Sequence, residues 1–314
     1  MGADMLRYIL KRVLAIIPVV IAVSFIVFFI MDFVPTDAAV TALGDGATEE
    51  QLEYYREIHG LNDPLVVRYA RYMAGIFRGD LGTSYSNQMP VWDLFFEKFP
   101  NTLRLALASV VVTVLLSVPL GILAAVKENT WADTICSTLS FVGLAMPNFW
   151  LGLLLIMLFA VNLHWLPSTG AEGFRSLILP AITCGTGNMA ALTRITRSSM
   201  LDVLRQDYLR TARAKGQSER KIILRHAFRN AEIPVVTQIG IQMSTLIGGA
   251  VLTERVFAWP GVGAFMVDSI QKSDFEVVTG FVIMLAIFVS LVLLLVDVLY
   301  AFLDPRIKAQ YSKN

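Results

Sequence analysis

Charge is scarce in this chain. Only 16% of its 314 residues are Asp, Glu, Lys or Arg, while 55% are hydrophobic, and the mean hydropathy is +0.62. A soluble domain does not keep so little charge, so composition points to a polytopic membrane protein. Cysteine is scarcer still. Cys136 and Cys184 both fall in apolar stretches without CxxC or metal spacing, which reads as packing and implies neither redox nor zinc chemistry. The three histidines, His59, His164 and His226, lie outside the middle of every apolar run. None stands beside a serine at mid-membrane, as an intramembrane enzyme requires. A phosphate loop ending in Gly-Lys-Ser or Gly-Lys-Thr is missing, so the chain does not hydrolyse ATP by itself. A basic patch interleaved with aromatics is missing too, which argues against nucleic acid as a partner.

What is present is long apolar runs. Crossing a bilayer needs roughly 17 to 25 mostly apolar residues. Six runs meet this: 11–31, 102–126, 135–162, 177–193, 234–253 and 277–303. The expected fold class is therefore all-α, with six transmembrane helices. The fourth run holds Pro180, Gly185, Gly187 and Asn188 and suits the bundle interior, where small residues let helices approach. The first run follows Arg7, Lys11 and Arg12 but is too long for the apolar part of a signal peptide and lacks a small-residue cleavage site, so it reads as an uncleaved signal anchor. Met5 is an equal candidate for the native start. Met1-Gly2 begins no myristoylation motif, because Leu6 occupies the position of the required Ser or Thr.

Lys and Arg set the orientation. With the amino terminus inside, the inner segments hold 17 of the 26 basic residues, ten of them between Arg194 and Arg229. Both termini are then cytoplasmic. The organisation that follows is a cytoplasmic end 1–10, the first span 11–31, an extracytoplasmic loop 32–101, a five-helix core 102–303 containing the cytoplasmic loop 194–233, and a cytoplasmic end 304–314. Within the outer loop, Leu65, Tyr69, Tyr72, Met73, Ile76 and Phe77 share one helical face after the stop signal Asn62-Asp63-Pro64. This predicts an amphipathic helix that packs on the bundle or lies on the membrane surface.

The inner loop carries the most particular pattern, Arg210-Thr211-Ala212-Arg213-Ala214-Lys215-Gly216, followed by Ser218 to His226 and ended by Pro234. Ala212 and Ala214 leave little side chain beside the turn. Gly216 can take the left-handed conformation that ends a helix. Ser218 is placed to cap the next helix, with Glu219 favourable in its first turn. A short basic helix-turn-helix at a membrane surface is built to be gripped by another protein.

This segment resembles the coupling loop of the membrane subunits of bacterial ATP-binding-cassette importers, in the form carried by the peptide and nickel branch. The likeness continues through Arg225-His226-Ala227, Asn230 and Pro234. It extends to Met5-Leu6-Arg7-Tyr8-Ile9-Leu10-Lys11-Arg12, Gly60-Leu61-Asn62-Asp63-Pro64-Leu65, Gly79-Asp80-Leu81-Gly82-Thr83-Ser84, Glu254-Arg255-Val256-Phe257, Pro260-Gly261-Val262-Gly263 and Asp304-Pro305-Arg306. The chain is most similar to the first permease of the dipeptide and oligopeptide systems, whose members also carry nickel or glutathione. One departure follows the first run, where Thr36 and Ala38 in Val34-Pro35-Thr36-Asp37-Ala38 replace the usual Gly and Pro. The resemblance implies a type I importer transmembrane domain in the cytoplasmic membrane of a bacterium. It also implies a second, non-identical permease, an extracytoplasmic solute-binding protein, and two cytoplasmic ATPase subunits that hold ATP and Mg. This chain needs no cofactor of its own.

The path through such a subunit is expected to be polar and uncharged. Gln238, Gln242 and Thr245 recur at i, i+4 and i+7 on the fifth run, and Thr186 and Asn188 lie on the fourth. The stripe faces either the companion subunit or the translocation cavity, since amides in a bilayer need partners or water. Gly248-Gly249 is expected to permit close packing or a bend, with packing favoured. Asp297, well inside the last run, is expected to pair with an Arg of the inner loop rather than to lie in the path. A self-powered transporter would show internal repeats and more intramembrane carboxylates than this one.

Overall fold

Small residues at every fourth position of one long helix set how the bundle packs. The computed structural model describes residues 2–33, 37–44 and 46–303, with side chains described over 9–298 of these. The expectations for Val34 to Thr36 and for 304–314 lie outside the described residues. In chain order the helices are α1 (Gly2–Asp32), α2 (Ala38–Leu43), α3 (Glu49–Ile58), α4 (Leu65–Phe77), α5 (Val91–Val126), α6 (Trp131–Ala145) and α7 (Asn148–Leu155), which continues as a π-helix over Ile156–Asn162. Then come α8 (Gly173–Gly187), α9 (Met189–Leu204), α10 (Asp207–Ala214) and α11 (Glu219–Lys221), which runs through a π-helix (Ile222–Ala227) into α12 (Phe228–Gly249). The last are α13 (Val251–Val256), α14 (Val262–Gln271) and α15 (Phe275–Leu303). Among the described residues there is no named strand.

Helix α5 is the axis. Ser109, Thr113, Ser117 and Gly121 form a buried stripe along it, facing α8 and α9. Thr113 donates to the Gly185 carbonyl at 2.9 Å and Ser117 to the Met189 carbonyl at 3.3 Å. A Cβ on Gly121 would lie 2.6 Å from Cβ of Thr196, and one on Gly185 2.9 Å from Cγ1 of Val112. Small side chains thus bring the helix backbones together, the device that replaces hydrophobic driving force inside lipid. The helix begins at Val91, well before the expected 102. Asp93, Glu97, Lys98 and Pro100 read as loop in sequence, yet the face between them carries Phe95 and Phe99. Phe95 meets Phe281 of α15 edge-on at 5.3 Å and stacks on Phe288 at 5.7 Å, and Phe99 lies tilted against Phe288 at 4.2 Å.

Two expected spans are broken. The third run bends by 98° between α6 and α7, because Pro147 lacks an N–H and holds Met146 in extended backbone. The fourth is divided at Asn188 between α8 and α9. The breaks touch: a Cβ on Gly187 would lie 2.6 Å from Oδ1 of Asn148, and one on Gly143 2.9 Å from the Thr186 carbonyl oxygen. Three helices among the described residues are long and apolar enough to cross a membrane, over Ile9–Asp32, Val91–Val126 and Phe275–Val298. The bent pair makes a fourth if it is one span. Helices α8 and α9 are each too short for that test and α12 too polar, since Thr, Asn and Gln suited to an interior dilute their apolar content.

Helix α1 lies at the edge, packed on α15 and α4. The helix begins at Gly2, so residues 2–10, expected ahead of the first span, are helical and continuous with it. The amphipathic helix of the first loop starts at Leu65 as predicted and packs on α1. Tyr69 sits edge-on to Phe25 at 5.3 Å, and its hydroxyl lies 2.9 Å from Ser24 Oγ. Phe77 is the exception to the expected face and is exposed.

Three local expectations are settled by the packing. At Gly248-Gly249 the helix breaks rather than packs closely: a Cβ on Gly248 would meet Val289 at an ordinary 3.7 Å, space around Gly249 is open and α12 ends there, whereas Gly240 makes the close approach, to Val296 of α15. Pro234 lies inside α12 and ends nothing. Asp297 pairs with Arg12 of α1 at 2.8 Å rather than with an inner-loop Arg, because α1, not the loop, packs beside that turn of α15.

Candidate functional site

The basic segment folds as two short helices joined by a tight turn. Helix α10 ends in a Schellman motif: Gly216 N–H donates to the Arg213 carbonyl at 2.9 Å and Gln217 N–H to the Ala212 carbonyl at 3.3 Å. The motif requires a left-handed residue, and Gly216 has φ +74°. The expected side-chain cap is not used. Ser218 is extended and its carbonyl accepts from Lys221 and Ile222, but its hydroxyl makes no capping bond. Glu219 is engaged instead by Arg213, at 2.8 and 3.4 Å across the turn. That pairing holds the Glu219 carboxyl below its ordinary range.

The segment is fixed to the bundle by its apolar side. Leu209 and Ile222 are fully buried with Met200 of α9, Ala125 of α5, and Ala227 and Ala231 at the start of α12, and Ala212 packs against them. Polar ties add to this. Asn230 Nδ2 donates to the His226 carbonyl and to the Tyr208 hydroxyl, both at 2.9 Å, and His226 Nε2 lies 3.1 Å from Gln217 Oε1. The part of the motif that continues to Asn230 is thus the strut that holds the turn. Arg210, Thr211, Arg213, Ala214, Lys215 and Gly216 remain on the exposed face. Alanine at 214 leaves the surface beside the turn flat, and the cations around it project a positive field.

The five path candidates are not one surface. Gln242 is buried and donates from Nε2 to the Asn188 carbonyl at 3.0 Å, so it ties α12 to the break between α8 and α9. Its Oε1 is buried without a partner. Asn188 Nδ2 bonds the Cys184 carbonyl at 3.1 Å and Thr186 bonds the Ile182 carbonyl at 2.9 Å. Gln238 is half-buried, and Thr245 is exposed with its hydroxyl on the Ile241 carbonyl.

Sequence reasoning passed over a buried acid. Glu254 of α13 is 1% exposed. Its carboxylate accepts from the Thr102 hydroxyl at 2.7 Å and the Ala264 N–H at 2.8 Å, in a cradle that Gly261 and Gly263 keep open. The Pro260-Gly261-Val262-Gly263 run beside it was the available signal. A second acid at the helix ends, Asp133, meets Arg197 in a two-point pair at 2.7 and 2.8 Å.

Comparison with known proteins places these features. Residues 117–309 match the family model for the binding-protein-dependent transport system inner membrane component, and residues 5–106 match its N-terminal companion. The oligopeptide transport system permease protein AppB of Bacillus subtilis is 40% identical, with 97% of this chain and all of that protein covered. The glutathione transport system permease protein GsiC of Escherichia coli K12 is 41% identical, covering 97% of this chain and 99% of the relative. Among solved structures, the MetNI methionine ABC transporter in an inward-facing form aligns with a TM-score of 0.55 at 17% identity, over 67% of this chain and 96% of that one. That likeness shows the fold. With relatives that are permeases rather than enzymes, and with matches spanning nearly the whole chain, this protein belongs to the family of binding-protein-dependent transport system inner membrane components.

Proposed function

We propose that this permease forms half of the translocation path of an importer for oligopeptides or glutathione, beside a second, non-identical permease. Two ATPase subunits, which bind ATP and Mg, grip the α10–α11 turn from the cytoplasm, and an extracytoplasmic binding protein delivers the solute to the opposite end. One observation carries the reading: a basic turn, closed by Gly216 and rooted through Leu209 and Ile222 in α5, α9 and α12, has no route to move without moving those helices. Motion imposed on the turn therefore passes to the helices around the α8–α9 break. Gln238, Thr245, Thr186 and Asn188 then border the path, with Gln242 fixing the break behind them. Both termini lie on the ATPase side.

The test is Gly216→Val. A β-branched residue held left-handed is strained by about 1 to 2 kcal/mol, and nothing within 4 Å of a Cβ there would itself clash. The variant should insert normally, lose ATPase subunits during purification, and fail to transport. Full ATPase recruitment with normal uptake refutes the coupling role.

A further inference from the structure

A groove of about 460 Å³ opens between α6 and α9, at the end of the bundle that carries the α10–α11 turn. The two helices run antiparallel, and two approaches fix their register: Asp133 meets Arg197 at 2.7 Å, and a Cβ on Gly143 would lie 3.8 Å from Met189 Sδ. Arg194, one turn from Arg197, therefore stands level with Ser137, between Thr134 and Thr138, and all four line the groove. Its charged residues are Asp133, Arg194 and Arg197. The Asp133 carboxylate is taken, accepting from Arg197 Nε and Nη2, the Asn129 N–H and the Ser137 hydroxyl, and it cancels the charge of Arg197. Arg194 is left over. It is exposed, and its guanidinium makes no hydrogen bond or ion pair to any described residue. The exposed Thr138 hydroxyl has no partner among the described residues either, whereas the Thr193 hydroxyl is buried and takes no part. Phe141 lines the far end, and Ile135, Leu139 and Val142 continue an exposed apolar face along α6. Trp131, 83% exposed, stands at the start of that helix, where a tryptophan suits the membrane–water interface.

We infer that this groove holds the phosphate of an anionic phospholipid, with the acyl chains along the apolar face of α6. Arginine presents a planar fork of donors that fits a phosphate, and Thr138 adds a neutral donor from the facing helix. Charge and apolar surface come in the order a lipid needs: Thr134 lies toward the aqueous end with Trp131, and Phe141 about 10 Å further along α6 at 1.5 Å per residue. A basic pocket between membrane helices suits a lipid headgroup. A free phosphate uses Arg194 and Thr138 but leaves the face of Leu139, Phe141 and Val142 uncovered, and a cationic solute finds no free acid in the groove. The site lies outside the α10–α11 turn, and the inference requires helices in a bilayer, not the transport reading.

The full transporter complex, purified in detergent, is titrated with phosphatidylglycerol and followed by native mass spectrometry. Arg194→Gln and Thr138→Val are compared with Arg229→Gln, which removes an exposed cation that does not line the groove. Wild type should hold one more saturable copy of phosphatidylglycerol than Arg194→Gln. That copy should bind about fivefold tighter than phosphatidylcholine, the discrimination of one basic residue at an anionic surface. Thr138→Val should weaken it about threefold, as loss of one neutral hydrogen bond does, and Arg229→Gln should leave it unchanged. Should Arg194→Gln not assemble, Thr138→Val decides, by weakening that copy or not. Equal binding of phosphatidylcholine, the same number of copies in Arg194→Gln, or a matching loss in Arg229→Gln overturns the inference. So does displacement of the lipid by millimolar inorganic phosphate, which would make this a free-anion site. A wild-type complex without that copy, as when a companion subunit covers the groove, overturns it too.

Discussion

Two glycine turns sit at opposite ends of the bundle, and they need glycine for different reasons. Gly216 has φ +74° and open space where a Cβ would be, so its requirement is conformational. Gly261 has φ −95°, which any residue adopts, but a Cβ there would fall 2.2 Å from Glu254 Oε1; its requirement is room. The polar groups around them divide the same way. At the α10–α11 turn, Arg213 and Glu219 pair across six residues in solvent. At the other turn, Thr102 and Glu254 meet across 152 residues in the interior. The first arrangement leaves charge available to another protein, and the second leaves none.

The largest effect that would sharpen this contrast is expected from Glu254→Ala. It orphans the Thr102 hydroxyl and the Ala264 N–H, and leaving buried donors unmade costs about 1 to 3 kcal/mol each. The thermal midpoint of the purified protein should fall further than for any alanine substitution on the exposed face of α10. An unchanged midpoint would show that the cradle holds nothing together.

A smaller effect separates the glycines directly. At Gly216, Asn should be milder than Ala, because Asn tolerates the left-handed region. At Gly261 the order should reverse, with Ala costing about 1 to 3 kcal/mol by overpacking and the larger Asn more. Both orders are read from thermal midpoints, together with ATPase retention for the Gly216 pair. The same order at both sites would break the distinction.

The smallest effect concerns pH. Arg213 lowers the folded-state value of Glu219, so the contribution of this pair is present above the unfolded glutamate value of about 4.3 and is lost as pH falls through the lowered folded value. The pair is exposed and screened, so acidification should loosen the turn slightly. Glu219→Gln should reproduce that loosening at neutral pH in amide exchange of Gly216 and Gln217. Identical exchange in the variant would mean that the Schellman bonds alone hold the turn.

Much of the α10–α11 turn was legible because its determinants are local. A left-handed glycine after alternating alanines and cations closes within five residues, and Ser218 takes the expected N-cap position although its hydroxyl makes no capping bond. The start of α4 after Pro64 was legible for the same reason. The path residues were not. Spacing of i, i+4, i+7 places Gln238, Gln242 and Thr245 on one side of a helix, but their environments differ because Gln242 alone reaches the Asn188 carbonyl, and which helix stands opposite is not written in the spacing.

Sequence by itself determined the membrane character, the helical class and the turn at Gly216, since these follow from apolar run length and from the conformations a residue allows over a few neighbours. Tertiary structure decided which polar groups became partners: Asp297 with Arg12, Glu254 with Thr102, Gln242 with the α8–α9 break. It also left Glu276 Oε2 and the Tyr72 hydroxyl buried without partners. In an interior without water, a polar group is satisfied only by whatever the packing brings within about 3 Å. That packing is set by where small residues let helices close, across separations that a linear pattern does not contain.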